Sequence, residues 1–164
     1  MTRTYAFVDE WDVRAPIEAV FDALADPERY PLWWKPVYVV ARPRNENVVE
    51  HLFKGRLPYR LRVTSETVAK DRPTRIEAVV RGDLSGRGIW TLSRNGDSAH
   101  VRFDWQVDAD RPFLRLLTPV LGRLFRWNHN WAIKRAMEGL EPYARRLAGL
   151  PESPGATSGR SPSG

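Results

Sequence analysis

The chain has 164 residues, 42% of them apolar and 28% charged, a composition that fits one globular domain with a sizeable core. It contains no cysteine, which excludes disulfides and thiolate chemistry, and no apolar run approaches the roughly 18 residues that span a bilayer. The formal charge of +6 comes mostly from arginines spread singly among acids, apart from "ARRLAG", so nucleic acid is not an expected partner.

The N-terminal "MTRTYAFVDEW" alternates and carries acids, without the apolar core and small-residue cleavage site of a signal peptide, and a cytoplasmic location is expected. Tyr5, Phe7, Trp11 and Val13 fall on one side of this stretch, the period-two pattern of a half-buried strand. Asp9 shares that apolar side. Next, "APIEAVFDALADPERYPLWW" predicts two short helices: Pro16 suits a helix start, Ile17, Val20, Phe21 and Leu24 recur at helical spacing, and Asp26-Pro27 opens a second helix ending near Pro31.

Between Val37 and Ala109 the period changes to that of five or six antiparallel strands, broken at "RPRNEN", "KDRP" and "SRNGDS". In "HVRFDWQVD", Val101, Phe103, Trp105 and Val107 share one face while Arg102, Asp104 and Gln106 share the other. Asn95-Gly96 predicts a type I' hairpin joining the strand around Trp90 to that around Phe103.

From about Arg111 to Ala148 the pattern is helical, with kinks expected at Pro119 and Pro142. At about 100° per residue, Leu117, Val120, Leu121, Leu124, Trp127 and Trp131 form one stripe, whereas Phe125, His129, Ala132, Ala136, Leu140, Tyr143 and Leu147 form a second. "RWNHNW" lies where the first gives way to the second, so the helix is expected to change its buried face there. Asn128 and Asn130 are expected to serve the joint or solvent, and His129 to face the sheet. Pro151 onward is Pro-, Gly- and Ser-rich without apolar periodicity, which places the folded domain at residues 2–149 and a disordered tail at 150–164.

These elements together predict an α+β helix-grip fold: a curved antiparallel sheet of six to seven strands around a long C-terminal helix, with two short helices after the first strand. The stretch "VRAPIEAVFDALADPERYPLWW" resembles the N-terminal signature of the START-like (SRPBCC) superfamily, in its polyketide cyclase/dehydrase branch. The likeness extends through "LPYRLRV" and "GRGIWTL" to the last helix. It implies an internal cavity for a hydrophobic small molecule, aromatic, polyketide-like or lipid. Two alternatives stand beside ligand binding: a cyclase or dehydratase enzyme, and a quinone-chaperone or protein-partner role with Trp33 and Trp34 as contact residues.

A cavity between sheet and helix would be lined by the inward strand positions: Phe53, Tyr59, Leu61, Val63, Trp90, Phe103 and Trp105, with Trp33 and Trp34 near the mouth. Any one of these aromatics could simply fill the core, but seven tryptophans favour an aromatic-lined space. Asp9, His51 and His129 are polar residues on inward faces. Brought together, a carboxylate and two imidazoles would suit proton transfer during an aldol cyclisation or dehydration. A β-bulge would instead turn Asp9 or His51 outward, and a lone inward histidine is more often a hydrogen-bonded core residue.

The histidines have no metal-ligand spacing, "GDLSGRG" sits between strands and reads as a turn, and no nucleophile elbow occurs, so neither metal nor cofactor is expected. "LLTPVLGRLFRW" is basic and amphipathic enough to touch anionic lipid, but a helix packed on a sheet needs the same pattern. Monomer and homodimer are both compatible with the sequence.

Overall fold

The computed structural model describes residues 3–56, 60–109 and 118–152. Its elements are β1 (Arg3–Val13), α1 (Ile17–Leu24), a 3-10 turn (Pro27–Arg29) running into α2 (Tyr30–Trp33), β2 (Tyr38–Asn45), β3 (Val48–Lys54), β4 (Arg60–Asp71), β5 (Arg75–Gly82), β6 (Ser85–Asn95), β7 (Ser98–Ala109) and α3 (Thr118–Leu147). All seven strands join one antiparallel sheet in the order β1-β7-β6-β5-β4-β3-β2. β2 to β7 form a meander, and the first strand returns to pair with the last. The long helix and the two short ones cover one face, which is the helix-grip arrangement.

Period-two alternation decides which side of each strand is buried. In β7, Val101, Phe103 and Val107 are buried while Arg102 pairs outside with Asp104 at 2.8 Å. The β1–β7 register sets Phe7 opposite Trp105, Asp9 opposite Phe103 and Trp11 opposite Val101, so β1 extends the same inner face without a bulge. Arginines do stand singly among acids on the outer surface, as in Arg81–Glu66 and Arg72–Asp22.

Three local expectations need correction. The hairpin between β6 and β7 turns one residue later than Asn95-Gly96: Asn95 pairs with Ser98, and Gly96-Asp97 form the two-residue loop. Gly96 has a φ of 59° and no non-glycine residue described has a positive φ, so the type I' turn, which needs positive φ at both positions, is ruled out. The second short helix does not stop near Pro31. It runs to Trp33, because a proline within the first turn forfeits no intrahelical hydrogen bond.

The third correction concerns α3. Its buried face does not change: Gly122 packs on Tyr5, Phe125 meets Tyr5 edge to face at 5.2 Å, and Ala132, Ala136, Leu140 and Tyr143 continue that line into the core. From the other stripe, Val120 is 63% and Trp127 44% exposed. The sheet's inner surface takes the second stripe, and among the described residues of the first only Trp131 is packed, half-buried, against the core's margin. Pro142 is accommodated inside α3, while Pro119 lies in its first described turn. Residues 110–117, Leu117 among them, lie outside the described residues, as do residues 153–164. Among the described residues, no helix is long and apolar enough to cross a membrane.

Gly139 fixes how closely α3 approaches α2. A Cβ there would sit 1.7 Å from the backbone oxygen of Trp33, so only glycine permits the contact. Trp33 is thereby held in the core, stacked on Trp34 at 5.3 Å and near Tyr143 at 6.4 Å.

Candidate functional site

Between the sheet and α3 lies a void of about 120 Å³, walled mainly by apolar and aromatic side chains. Of the predicted residues, Trp34, Phe53, Val63, Trp90, Phe103, Trp105, His51 and His129 line it. Trp90 and Phe103 stack at 4.0 Å, and Phe103 stacks on Trp105 at 6.1 Å, making one continuous aromatic wall across β6 and β7. Leu61 instead lines a second, smaller void of about 70 Å³ beside the first half of α3. The two voids share Phe53, Leu84, Trp105, Ala132 and His129, which stand as the partition between them. Tyr59 lies outside the described residues.

The tryptophan pair is not at a mouth. Both side chains are only 5% exposed, and the Trp34 indole N–H donates to the Ala132 carbonyl at 2.8 Å, clamping α2 to α3. Trp33 lines neither void. Neither ring offers a contact surface to a protein partner, because both are buried, Trp33 in the core and Trp34 against the void.

The three polar candidates separate into two groups. Asp9 and His129 meet: the carboxylate lies 2.5 Å from His129 Nε2, with side chains 17% and 11% exposed, and the imidazole stacks on Phe7 at 4.3 Å. Their inward orientation follows from strand parity on β1 and the sheet-facing line of α3. His51 is elsewhere. It comes from β3, is 2% exposed, and its Nε2 lies 2.9 Å from Ser65 Oγ on the neighbouring β4. Tyr38 meets its ring edge-on at 4.9 Å, and Tyr30 lies parallel at 6.2 Å. Burial among these apolar surroundings penalises the charged imidazolium and pushes the His51 pKa down to about 4, leaving it neutral near pH 7. Burial also raises the Tyr30 and Tyr38 hydroxyls well above the usual tyrosine range, so both stay protonated. The Tyr30 hydroxyl donates to the Leu24 carbonyl at 2.6 Å.

Asn128 has a role that helical position alone does not reveal. Its Oδ1 accepts the Arg56 backbone N–H at 2.8 Å, and the missing side chain of Gly55 makes room for it. The Arg56 guanidinium in turn lies 4.9 Å from the centre of the exposed Trp127 ring. Within "RWNHNW", then, Trp127 and Asn128 hold the end of β3 while His129 reaches the interior.

The sequence reading missed Tyr30, Tyr38, Ser65 and Thr67 as wall residues. Ser65 and Thr67 carried a usable signal, since they share strand parity with Val63. The two tyrosines did not, because only the docking of α2 and the start of β2 over the sheet turns them inward. Among the described residues, no group of three acidic or histidine side chains could hold a metal ion. His100 faces outward between Asp12 at 2.9 Å and Glu10 at 3.3 Å.

Residues 5–145 match the family described as polyketide cyclase/dehydrase and lipid transport. The chain belongs to this family. Its fold is that of the START/SRPBCC superfamily, whose members commonly bind hydrophobic ligands. The Zhui aromatase/cyclase from Streptomyces sp. R1128 superposes with a TM-score of 0.74 at 14% identity, covering 90% of this chain and 99% of that one. A START superfamily protein from Mycobacterium smegmatis gives 0.70 at 16% identity over 87% and 98% of the two chains. Norcoclaurine synthase from Thalictrum flavum gives 0.60 at 11% identity over 90% and 98%. At these identities the likeness concerns the fold. No curated protein matches the sequence.

Proposed function

We propose that this chain binds a hydrophobic, aromatic small molecule in the void between the sheet and α3. The observation that carries this reading is the void itself: about 120 Å³ of space between sheet and helix, faced by stacked aromatic rings. A well-packed core leaves few gaps larger than a water molecule. An apolar cavity of roughly 150 Å³ stays dry and accepts a benzene-sized guest. The volume therefore favours one aromatic ring, and a polycyclic ligand would require α3 to move away from the sheet. Trp34, Trp90 and Trp105 line the void and report directly on occupancy. Titration with toluene should change the tryptophan emission saturably. Indifference of the emission to toluene and to larger aromatic and lipid ligands would remove the reading.

The Asp9–His129 pair favours a second reading, acid–base catalysis of the cyclase or dehydratase type. With Nε2–H donating to the carboxylate, Nδ1 is the nitrogen free to take a proton from carbon next to a ligand carbonyl. The C–H electron pair then moves into the enolate, and Asp9 stabilises the resulting imidazolium. Returning that proton to a departing hydroxyl releases water and restores neutral His129. His51 has no part in this step, since its polar partner is Ser65. Turnover of a poly-β-ketone surrogate that survives both Asp9→Asn and His129→Gln unchanged would exclude it.

A further inference from the structure

His51 lines the cavity and carries a buried polar atom without a partner. Three buried side-chain nitrogens lack a hydrogen-bond partner among the described residues: Trp11 Nε1, Trp33 Nε1 and His51 Nδ1. Only His51 belongs to a residue that lines the void. Leaving such a group unpaired in an apolar interior forfeits its hydration without return, and native structures retain few of them without a reason.

The surroundings of His51 restrict what could answer it. Ser65 Oγ lies 2.9 Å from Nε2 and 3.4 Å from the Val49 carbonyl. Its single hydroxyl proton can serve only one of them. If it goes to Val49, Nε2 carries the imidazole proton and Nδ1 is an acceptor; if it goes to Nε2, Nδ1 is the N–H donor. A ligand hydroxyl both donates and accepts, so it satisfies either tautomer. A carboxylate is a poor match: among the described residues no lysine or arginine lines the void, and an unpaired charge there would be desolvated without compensation. The polar groups also cluster. His51 comes from β3 and Ser65 and Thr67 from β4, whereas the stacked wall of Trp90, Phe103 and Trp105 comes from β6 and β7, with β5 between. The His51, Ser65 and Thr67 group thus lies across the sheet from the stacked wall, and the other polar residue of the lining, His129, is paired with Asp9.

We propose that His51 Nδ1 is the recognition point for the hydroxyl of an uncharged, single-ring phenolic ligand. This inference rests on the ligand-binding reading above, and its test separates the two. Phenol, toluene and benzoate share one ring and differ in the group presented to Nδ1. Their affinities for the full chain and for His51→Phe are measured by tryptophan emission. Long-range ¹H–¹⁵N spectra of the wild-type protein follow the His51 ring nitrogens during each titration.

The expected result is that phenol, and not toluene, moves the Nδ1 resonance, and that His51→Phe weakens phenol relative to toluene by about tenfold, the order of one buried hydrogen bond. Benzoate should bind at least tenfold more weakly than phenol to the wild type. An unmoved Nδ1 resonance in phenol-saturated protein overturns the assignment, and so does benzoate binding as tightly as phenol. Should His51→Phe fail to fold, the wild-type spectra and the benzoate comparison decide alone. If toluene binds but phenol gains nothing from His51, the subsite falls and the ligand-binding reading stands. If none of the three binds, both fall.

Discussion

Lowering the pH should destabilise this protein through His51, beginning well above the pH at which its carboxylates take up protons. Its folded-state pKa, about 4, lies below the 6.5 of an unfolded histidine because burial opposes the charge. The unfolded chain therefore takes up a proton first as pH falls, and stability drops between about pH 6.5 and pH 4. At 1.36 kcal/mol per pKa unit the full loss is about 3 kcal/mol, of which about 2 kcal/mol falls between pH 7 and pH 5. His100 acts with the opposite sign. Its bonds to Asp12 and Glu10 raise its pKa, so it adds stability below pH 6.5 that is lost as pH rises. Asp22, Glu50 and Asp104, held low by Arg72, Arg44 and Arg102, give stability that is lost only at more acidic pH, as each falls through its depressed pKa. Urea unfolding of wild type and His51→Gln at pH 7 and pH 5 isolates the His51 contribution by difference. The wild type should lose about 2 kcal/mol more than the variant. Equal losses would refute the claim that a neutral imidazole is buried at position 51.

Other perturbations follow from the same packing. Gly139→Ala should cost at least the roughly 1–3 kcal/mol typical of overpacking, because the new methyl meets the Trp33 backbone rather than a movable side chain; a urea midpoint like that of wild type would contradict the α2–α3 contact. Asn128→Ala should cost about 1 kcal/mol and speed amide exchange at Arg56, whose N–H loses its acceptor. A double-mutant cycle on Asp9→Asn and His129→Gln, read by urea unfolding, should give a coupling energy of about 1–2 kcal/mol, and additive effects would mean that the contact is energetically silent. Phe103→Leu should lower stability by about 1–2 kcal/mol while tightening the binding of ligands larger than one ring, since it removes part of the aromatic wall.

Much of the fold could be read directly because period and face are local properties. Alternation in "HVRFDWQVD" assigned Val101, Phe103, Trp105 and Val107 to the inner face of β7, and strand parity alone put Asp9, His51 and Val63 on the inner face. Turn position was less legible. Asn95-Gly96 is a strong hairpin signal, yet pairing across β6 and β7 moved the loop to Gly96-Asp97. The choice between the two stripes of α3 was also not local: both have helical spacing, and only the presence of the sheet under Phe125 and Ala132 leaves Val120 and Trp127 outside.

The sequence by itself determined the element order, the curved sheet with its long helix, and which strand faces are apolar, since these depend on propensity and periodicity over a few residues. Only the tertiary structure decided which polar residues meet. Asp9 and His129 are 120 positions apart, and β1–β7 pairing together with the pitch of α3 brings them to 2.5 Å. His51 has the same inward parity, but its place toward the other end of the sheet gives it Ser65 instead. "RWNHNW" shows the division most plainly: helical geometry separates His129 from the two tryptophans, while the segment after β3 and the middle of β1 decide that Asn128 holds Arg56 and His129 holds Asp9.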